Sequence, residues 1–163
     1  MLHFILGGAR SGKSRHAEAL VQAHPAPWAY IATGQAWDEE MTARIAQHRA
    51  GRPAGWVTVE APLDLAEALA TPTPVLVDCL TLWLTNLILG EHDVAAASDA
   101  LLQSLTKRSQ PTVIVSNEVG LGIVPDNVLA RRFRDAAGIL HQRVAGAADH
   151  VVLIVAGLPL QVK

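Results

Sequence analysis

Short apolar runs alternate with amphipathic stretches along this chain. The runs Leu2–Leu6, Trp28–Ala32, Trp56–Val59, Val75–Asp78, Thr112–Ser116 and Val151–Val155 predict strands. Several have no polar interruption, the pattern of strands covered on both faces in a parallel sheet. Between them, helical spacing of apolar positions predicts helices over Lys13–Ala23, Asp38–Arg49, Leu63–Ala70, Leu80–Leu89, Val94–Arg108 and Asp126–Ala148. Regular alternation of the two element types predicts an α/β sheet with right-handed crossovers. Helix-start signals support three of the helices. Asp38 precedes a first turn holding Glu39 and Glu40, Pro62 precedes Leu63, and Asp126 follows Pro125. The stretch Thr71-Pro72-Thr73-Pro74 reads as a loop entering a strand, and no internal repeat or linker divides the chain. One domain over residues 1–163 is expected.

Composition narrows the class. Half of the 163 residues are apolar and 17% are charged, so a substantial core is expected and disorder is not. Thirteen Lys or Arg stand against fifteen Asp or Glu, a net charge of −2, without the basic excess of a nucleic-acid binder. Cys79 is the only cysteine, which excludes an internal disulfide and points to a reducing, cytoplasmic compartment. Met1–Leu6 is too short for a signal h-region. The charge-free stretches Cys79–Gly90 and Val151–Val162 fall below the roughly 20 apolar residues that span a bilayer.

The first strand runs into Gly7-Gly8-Ala9-Arg10-Ser11-Gly12-Lys13-Ser14, which fits the phosphate-loop pattern G-x-x-x-x-G-K-[ST]. Glycines let the backbone curl so that successive N–H groups face phosphate oxygens, and the following helix directs its positive end at the same anion. In that arrangement Lys13 reaches the β- and γ-phosphates and the Ser14 hydroxyl ligates magnesium. The strand–loop–helix context extends the reading to a P-loop NTPase-like (RecA-like) three-layer sandwich with a mostly parallel central sheet. A second acidic group at a strand end usually helps hold the metal. Asp78 closes one apolar run and is the first candidate, with Glu118, after Ser116-Asn117, the second. Each is also compatible with a solvated or capping role. Thr33, Gly34 and Gln35 follow another strand, where ligands bind in α/β sheets.

Among seven histidines, His48 differs by its company. Arg44, Arg49 and Arg52 lie within nine residues of chain that also hold His48, a compact anion-binding candidate. On a helix Met41, Arg44, Ile45 and His48 share one face, so Arg44 stands one turn from His48. Three readings are compatible with these residues: a boundary histidine with an ordinary hydrogen bond, a cation for phosphate, or a neutral imidazole that attacks an α-phosphorus.

Taken together, the motifs resemble the bifunctional adenosylcobinamide kinase / adenosylcobinamide-phosphate guanylyltransferase family of cobalamin biosynthesis. The resemblance rests on Gly7–Arg15, Tyr30–Gln35, Asp38–Pro53, Trp56–Glu60, Asp78–Asn86, Ser116–Pro125, Arg131–Asp135, Gly138–Ala148 and Gly157–Lys163. It implies that ATP or GTP phosphorylates the aminopropanol hydroxyl of adenosylcobinamide. GMP then passes from GTP through an enzyme histidine to the new phosphate, giving adenosylcobinamide-GDP. The histidine of the family pattern R-I-x-x-H-[RK] falls on His48. Some relatives carry two adjacent histidines there; here Gln47 precedes His48, so His48 alone matches the nucleophile.

The resemblance also implies that Arg49, Ala50, Gly51 and Arg52 border the guanylylated histidine and that Mg2+ accompanies the nucleotide. Glu60 ends a strand and would read the guanine N1–H and amino group, or would simply cap the helix after Pro62. Asp78 stands where relatives have Glu, with a shorter reach. Gly120 and Gly122 would give the loop after Asn117 positive φ or a close approach to substrate. Arg131, Arg132 and Arg134 read as a solvated helix face or a subunit contact. The family implies a homo-oligomer, a trimer. Two other readings keep the phosphate loop: a kinase without guanylyl transfer, and a non-catalytic nucleotide-binding module. Charge position fits a phosphate enzyme, because six of thirteen basic residues, Arg10, Lys13, Arg15, Arg44, Arg49 and Arg52, lie in the two candidate segments.

Overall fold

The apolar runs become the strands of one seven-stranded sheet in the computed structural model, which describes residues 1–35 and 53–163. The helix expected over Asp38–Arg49 lies outside the described residues. In chain order the elements are β1 (Leu2–Gly7), α1 (Lys13–Gln22), β2 (Trp28–Ala32), β3 (Trp56–Glu60), α2 (Leu65–Ala68), β4 (Val75–Asp78), α3 (Leu80–Leu89), α4 (Val94–Lys107), β5 (Thr112–Asn117), α5 (Val128–Ala147), β6 (His150–Val155) and β7 (Leu158–Gln161). The spatial order is β3-β2-β4-β5-β1-β6-β7. The first six strands pair in parallel, and β7 pairs antiparallel with β6 at the edge. This is the P-loop NTPase-like, mostly parallel α/β sandwich expected from the strand–helix alternation.

Side-chain alternation sends successive residues to opposite faces, so each central strand feeds two cores. Ile5, Leu76, Val113 and Val115 pack with Ala17 and Val21 of α1. Leu2, Phe4, Val75, Val77 and Ile114 pack with Leu80, Trp83, Leu101, Leu140 and Val144 of α3, α4 and α5. Burial on both faces is why these strands show no polar alternation.

Three features differ from the sequence reading, each for a local reason. The helix after Pro62 is a single turn, because Asp64 is non-helical and the Leu63 carbonyl accepts from Leu65 N–H and Trp83 Nε1–H. The long last helix starts at Val128, where the Asn127 side chain, not Asp126, accepts the Ala130 N–H at 2.7 Å. β6 ends at Val155 as expected, but a further strand follows: Ala156 and Gly157 are left-handed (φ 51 and 82), the conformation a two-residue hairpin turn requires, and they fold β7 back on β6. Among the described residues no helix is long and apolar enough to cross a membrane.

Candidate active site

All parallel strands end on one rim, and most of the candidate residues stand along it. Gly7 ends β1 in register with Asn117 of β5 and Ile154 of β6. Asp78 ends β4 beside Ala32 of β2, and Ala32 is in register with Glu60 of β3. The chain leaves β1 for α1 on one face and leaves the adjacent β5 for α5 on the other. Connections that diverge from neighbouring strands open a crevice at the rim, the place where α/β sheets bind ligands. Here that crevice separates the phosphate loop from the loop that begins at Glu118.

The phosphate loop has the form its sequence predicts. Gly7 is required by close approach, since a Cβ there would lie 2.5 Å from Ser11 Oγ and 3.0 Å from the Ile154 carbonyl. Gly12 is required by conformation: it is left-handed (φ 95) and stands as the N-cap of α1 without a side-chain cap. The first turn of α1 holds no acidic residue, so its N-terminal N–H groups meet no carboxylate from their own turn. Gly8, Ala9 and Arg10 are exposed, Ser11 and Ser14 half-buried. The β6–β7 turn braces the loop from behind, with Gly157 N–H donating to the Ser11 carbonyl at 2.9 Å.

Lys13 is only 9% exposed, and its ammonium donates to the Gly8 carbonyl at 3.0 Å. Among the described residues it has no carboxylate partner. A buried cation without a counter-ion is costly, and it becomes favourable when an anion enters. Its charge also bears on the next strand end but one. The Cys79 thiol is pushed up to about 11, mainly by burial, with Asp78 raising it further and Lys13 opposing. Lys13, Asp78 and Cys79 therefore lie within electrostatic range of one another.

Asp78 is half-buried, and its Oδ2 accepts the Tyr30 phenol O–H at 2.6 Å. Thr33 is fully buried, and its hydroxyl accepts Cys79 N–H at 2.8 Å and donates to the Cys79 carbonyl at 2.7 Å. Its side chain therefore ties β2 to β4 and is not open to a ligand. Gly34 and Gln35, half-buried, close the described stretch. Asn86 of α3 donates to the Thr33 carbonyl at 2.7 Å and the Pro62 carbonyl at 2.9 Å, joining the loops after β2 and β3. Asn117 donates to Thr81 Oγ1 at 2.8 Å, which links β5 to the start of α3.

Glu118 stands across the crevice, and its N–H donates to the Gly7 carbonyl at 3.0 Å. Its own carboxylate accepts the Gly120 N–H, so one oxygen is already used in shaping its loop. Neither Gly120 nor Gly122 has positive φ, so that alternative of the sequence reading is not the one realised; a Cβ at Gly120 would meet Glu118 Oε1 at 3.0 Å, while one at Gly122 would meet nothing within 4 Å. Arg131 donates to the Pro125 and Asp126 carbonyls and Arg134 pairs with Asp135, which places both in helix-start and surface contacts. Glu60 is exposed on the α1 side of the sheet, since Tyr30 and its register partner Thr58 share that face. His48, Arg44, Arg49, Ala50, Gly51 and Arg52 lie outside the described residues.

Sequence reasoning assigned no role to Tyr30, Thr81, Asn86 or His141. Asn86 carried a signal: one amide in the otherwise apolar turns of Leu80–Leu89 must satisfy itself if buried. His141 carried none; its Nε2 lies 2.7 Å from Ser116 Oγ across the α5–β5 interface, a pairing distant in sequence.

A solved structure from Pyrococcus horikoshii OT3 superposes with a TM-score of 0.52 over 99% of this chain and 85% of that one, at 9% identity, a likeness of fold alone. Sequence relatives are far nearer. The bifunctional adenosylcobalamin biosynthesis protein CobP of Pseudomonas aeruginosa is 50% identical, over 100% of this chain and 98% of its own length. The proteins called CobU, bifunctional in the same terms, of Salmonella typhimurium and Escherichia coli are 46% and 44% identical, over the whole of both chains. Residues 3–162 match the family described as cobinamide kinase / cobinamide phosphate guanyltransferase, and with the phosphate loop and rim just described, the chain belongs to that family.

Proposed function

We propose that this chain phosphorylates adenosylcobinamide with ATP or GTP and then transfers GMP to the product through His48, giving adenosylcobinamide-GDP. The observation that carries the first step is Lys13, a buried ammonium held by a loop carbonyl and awaiting an anion. With a triphosphate in the loop, the N–H groups at the start of α1 and the Lys13 ammonium hold the β- and γ-phosphate oxygens and stabilise the charge that develops as the γ-phosphoryl leaves. The aminopropanol hydroxyl forms the new O–P bond and the bond to the β-phosphate oxygen breaks. In the second step His48 attacks the α-phosphorus of GTP and pyrophosphate leaves. The phosphate of adenosylcobinamide phosphate then displaces His48 and takes the GMP. Arg49, Ala50, Gly51 and Arg52 border that histidine, and Glu60 reads the guanine edge.

The donor set at the phosphate loop fits a hard cation. It offers the Ser14 hydroxyl and the Asp78 carboxylate, whose Oδ1 has no hydrogen-bond donor among the described residues. Magnesium bound there would neutralise and align the phosphate oxygens.

We further propose a single domain serving both steps, a cytoplasmic setting for the reduced Cys79, and assembly into a trimer. Exposed apolar residues near the start of α5, Leu121, Ile123 (98% exposed), Val124, Val128 and Leu129, suit a subunit contact. The test of the guanylyl half is incubation with α-labelled GTP. Acid-labile, base-stable label is expected on the wild type and not on His48→Ala. Wild-type enzyme that is an active kinase yet takes no label would leave only the kinase reading. Failure to phosphorylate adenosylcobinamide at any enzyme concentration would leave only the binding module.

A further inference from the structure

The aromatic cluster beside the rim contains a phenol that the proposed chemistry does not use. Tyr30 of β2 is almost fully buried in the core under α1. It is in register with Leu76, two residues before Asp78 on the neighbouring strand. That diagonal offset is within the reach of a long side chain in a sheet, and the phenol O–H meets Asp78 Oδ2 at 2.6 Å. The ring is held from the other side by Trp56, edge-on with centroids 6.0 Å apart, and Trp56 packs on Trp28 at 5.4 Å.

The Asp78 backbone is fixed by the residue that follows this strand. Thr33 N–H donates to the Asp78 carbonyl at 3.2 Å, and the Thr33 hydroxyl holds both polar groups of Cys79. With the main chain clamped, the freedom left to Asp78 is rotation of its short side chain. The phenol removes that freedom by binding one oxygen. Two carboxylate oxygens become inequivalent: Oδ2 belongs to Tyr30, and Oδ1 is left for a ligand.

We propose that Tyr30 is a positioning residue that orients Asp78 for a divalent cation at the phosphate loop. The inference rests on the reading of Asp78 as a cation ligand, and it adds that the affinity of the site is set partly by a residue that touches neither metal nor nucleotide. A buried phenol merely satisfying itself in the core would contribute to stability and leave cation affinity alone, so the two roles separate by measurement.

The experiment titrates Mn2+ by its paramagnetic resonance signal, using the full chain with a saturating α,β-methylene GTP analogue, which cannot guanylylate His48, and no corrinoid, so that no turnover occurs. Tyr30→Phe keeps the ring and its packing and removes only the hydroxyl. Loss of such an outer-shell partner is expected to weaken Mn2+ binding about 10-fold or more. Asp78→Asn should weaken it at least as much, and adding Tyr30→Phe to Asp78→Asn should cause no further loss. Thermal unfolding without ligand checks that the variants are folded. If Asp78→Asn weakens Mn2+ binding while Tyr30→Phe stays within about twofold of wild type, the positioning role is wrong and the Asp78 reading stands. Equal losses from Tyr30→Phe in both backgrounds would also overturn it, because the phenol would then act through packing. Wild-type affinity in Asp78→Asn would remove both readings together.

Discussion

Replacing Asn86 by Ala should damage this protein more than any other exchange of a neutral polar side chain along the rim. The Asn86 amide is buried, and its Nδ2 donates to the Thr33 carbonyl at 2.7 Å and the Pro62 carbonyl at 2.9 Å. Truncation leaves both carbonyls without that donor, the Thr33 carbonyl in a buried position and the Pro62 carbonyl in a partly buried one. The Thr33 bond is fully buried, so its loss should cost about 1–3 kcal/mol, and the partly buried Pro62 bond about 1 kcal/mol. The sum, about 2–4 kcal/mol, corresponds to a fall of roughly 5–15 °C in unfolding midpoint for a domain of this size. Urea unfolding followed by Trp fluorescence measures the difference directly, with an unchanged slope if the transition stays two-state. Asn86→Asp should not rescue the loss, because a carboxylate accepts and cannot donate to a carbonyl. A loss below about 0.5 kcal/mol would mean that the carbonyls find water or other partners, and the reasoning would fail. The two loops that Asn86 joins carry Gly34, Gln35 and the approach to α2, so nucleotide handling should weaken alongside stability.

The remaining predictions concern charge. Lys13→Met removes a buried cation that lacks a carboxylate partner among the described residues, so unfolding without nucleotide should occur at the same temperature or higher, whereas triphosphate affinity should fall about 10–100-fold by equilibrium dialysis; unchanged affinity would contradict the role of Lys13. Burial holds the His141 imidazole below its ordinary 6.5, with the Glu118 charge opposing. The unfolded chain therefore binds the proton more readily than the folded one, so the contribution of neutral His141 is complete above about pH 6.5 and is lost as pH falls below it. His141→Gln keeps a partner for Ser116, and its stability should decline less than the wild type between pH 6.5 and 5. Parallel pH curves for the two proteins would show that His141 does not titrate as its burial implies.

Much of this fold is legible in the sequence because its signals are local. Trp28–Ala32 and Val75–Asp78 carry their apolar runs from end to end, and Leu80–Leu89 has its helical span bounded by Cys79 and Gly90. The phosphate loop is legible for the same reason: Gly7 serves a contact with Ser11, four residues on, and Gly12 a left-handed backbone at the start of α1. Errors fell where one local signal hid another. The turn at Ala156–Gly157 sits inside an apolar stretch and carries a single glycine, so the short strand β7 beyond it gives no separate signal. Asp126 and Asn127 are both competent caps, and only the backbone at Asn127 chose between them.

The sequence by itself determined the order of the elements from β1 to β6 among the described residues, the phosphate loop and the family, since these depend on residue types at short spacing. Tertiary structure alone decided the rest. It set the strand order β3-β2-β4-β5-β1, which puts β4 two strands from β1 and hence Asp78 roughly 10 Å across the rim from the loop strand. It also chose the partners of the buried polar groups: Tyr30 with Asp78, 48 positions apart, Asn86 with Thr33, 53 apart, and Ser116 with His141, 25 apart. A hydrogen bond between distant residues leaves no periodic mark on either segment. Only packing reveals it, because burial denies each group water and compels it to find the donor or acceptor that the fold has brought beside it.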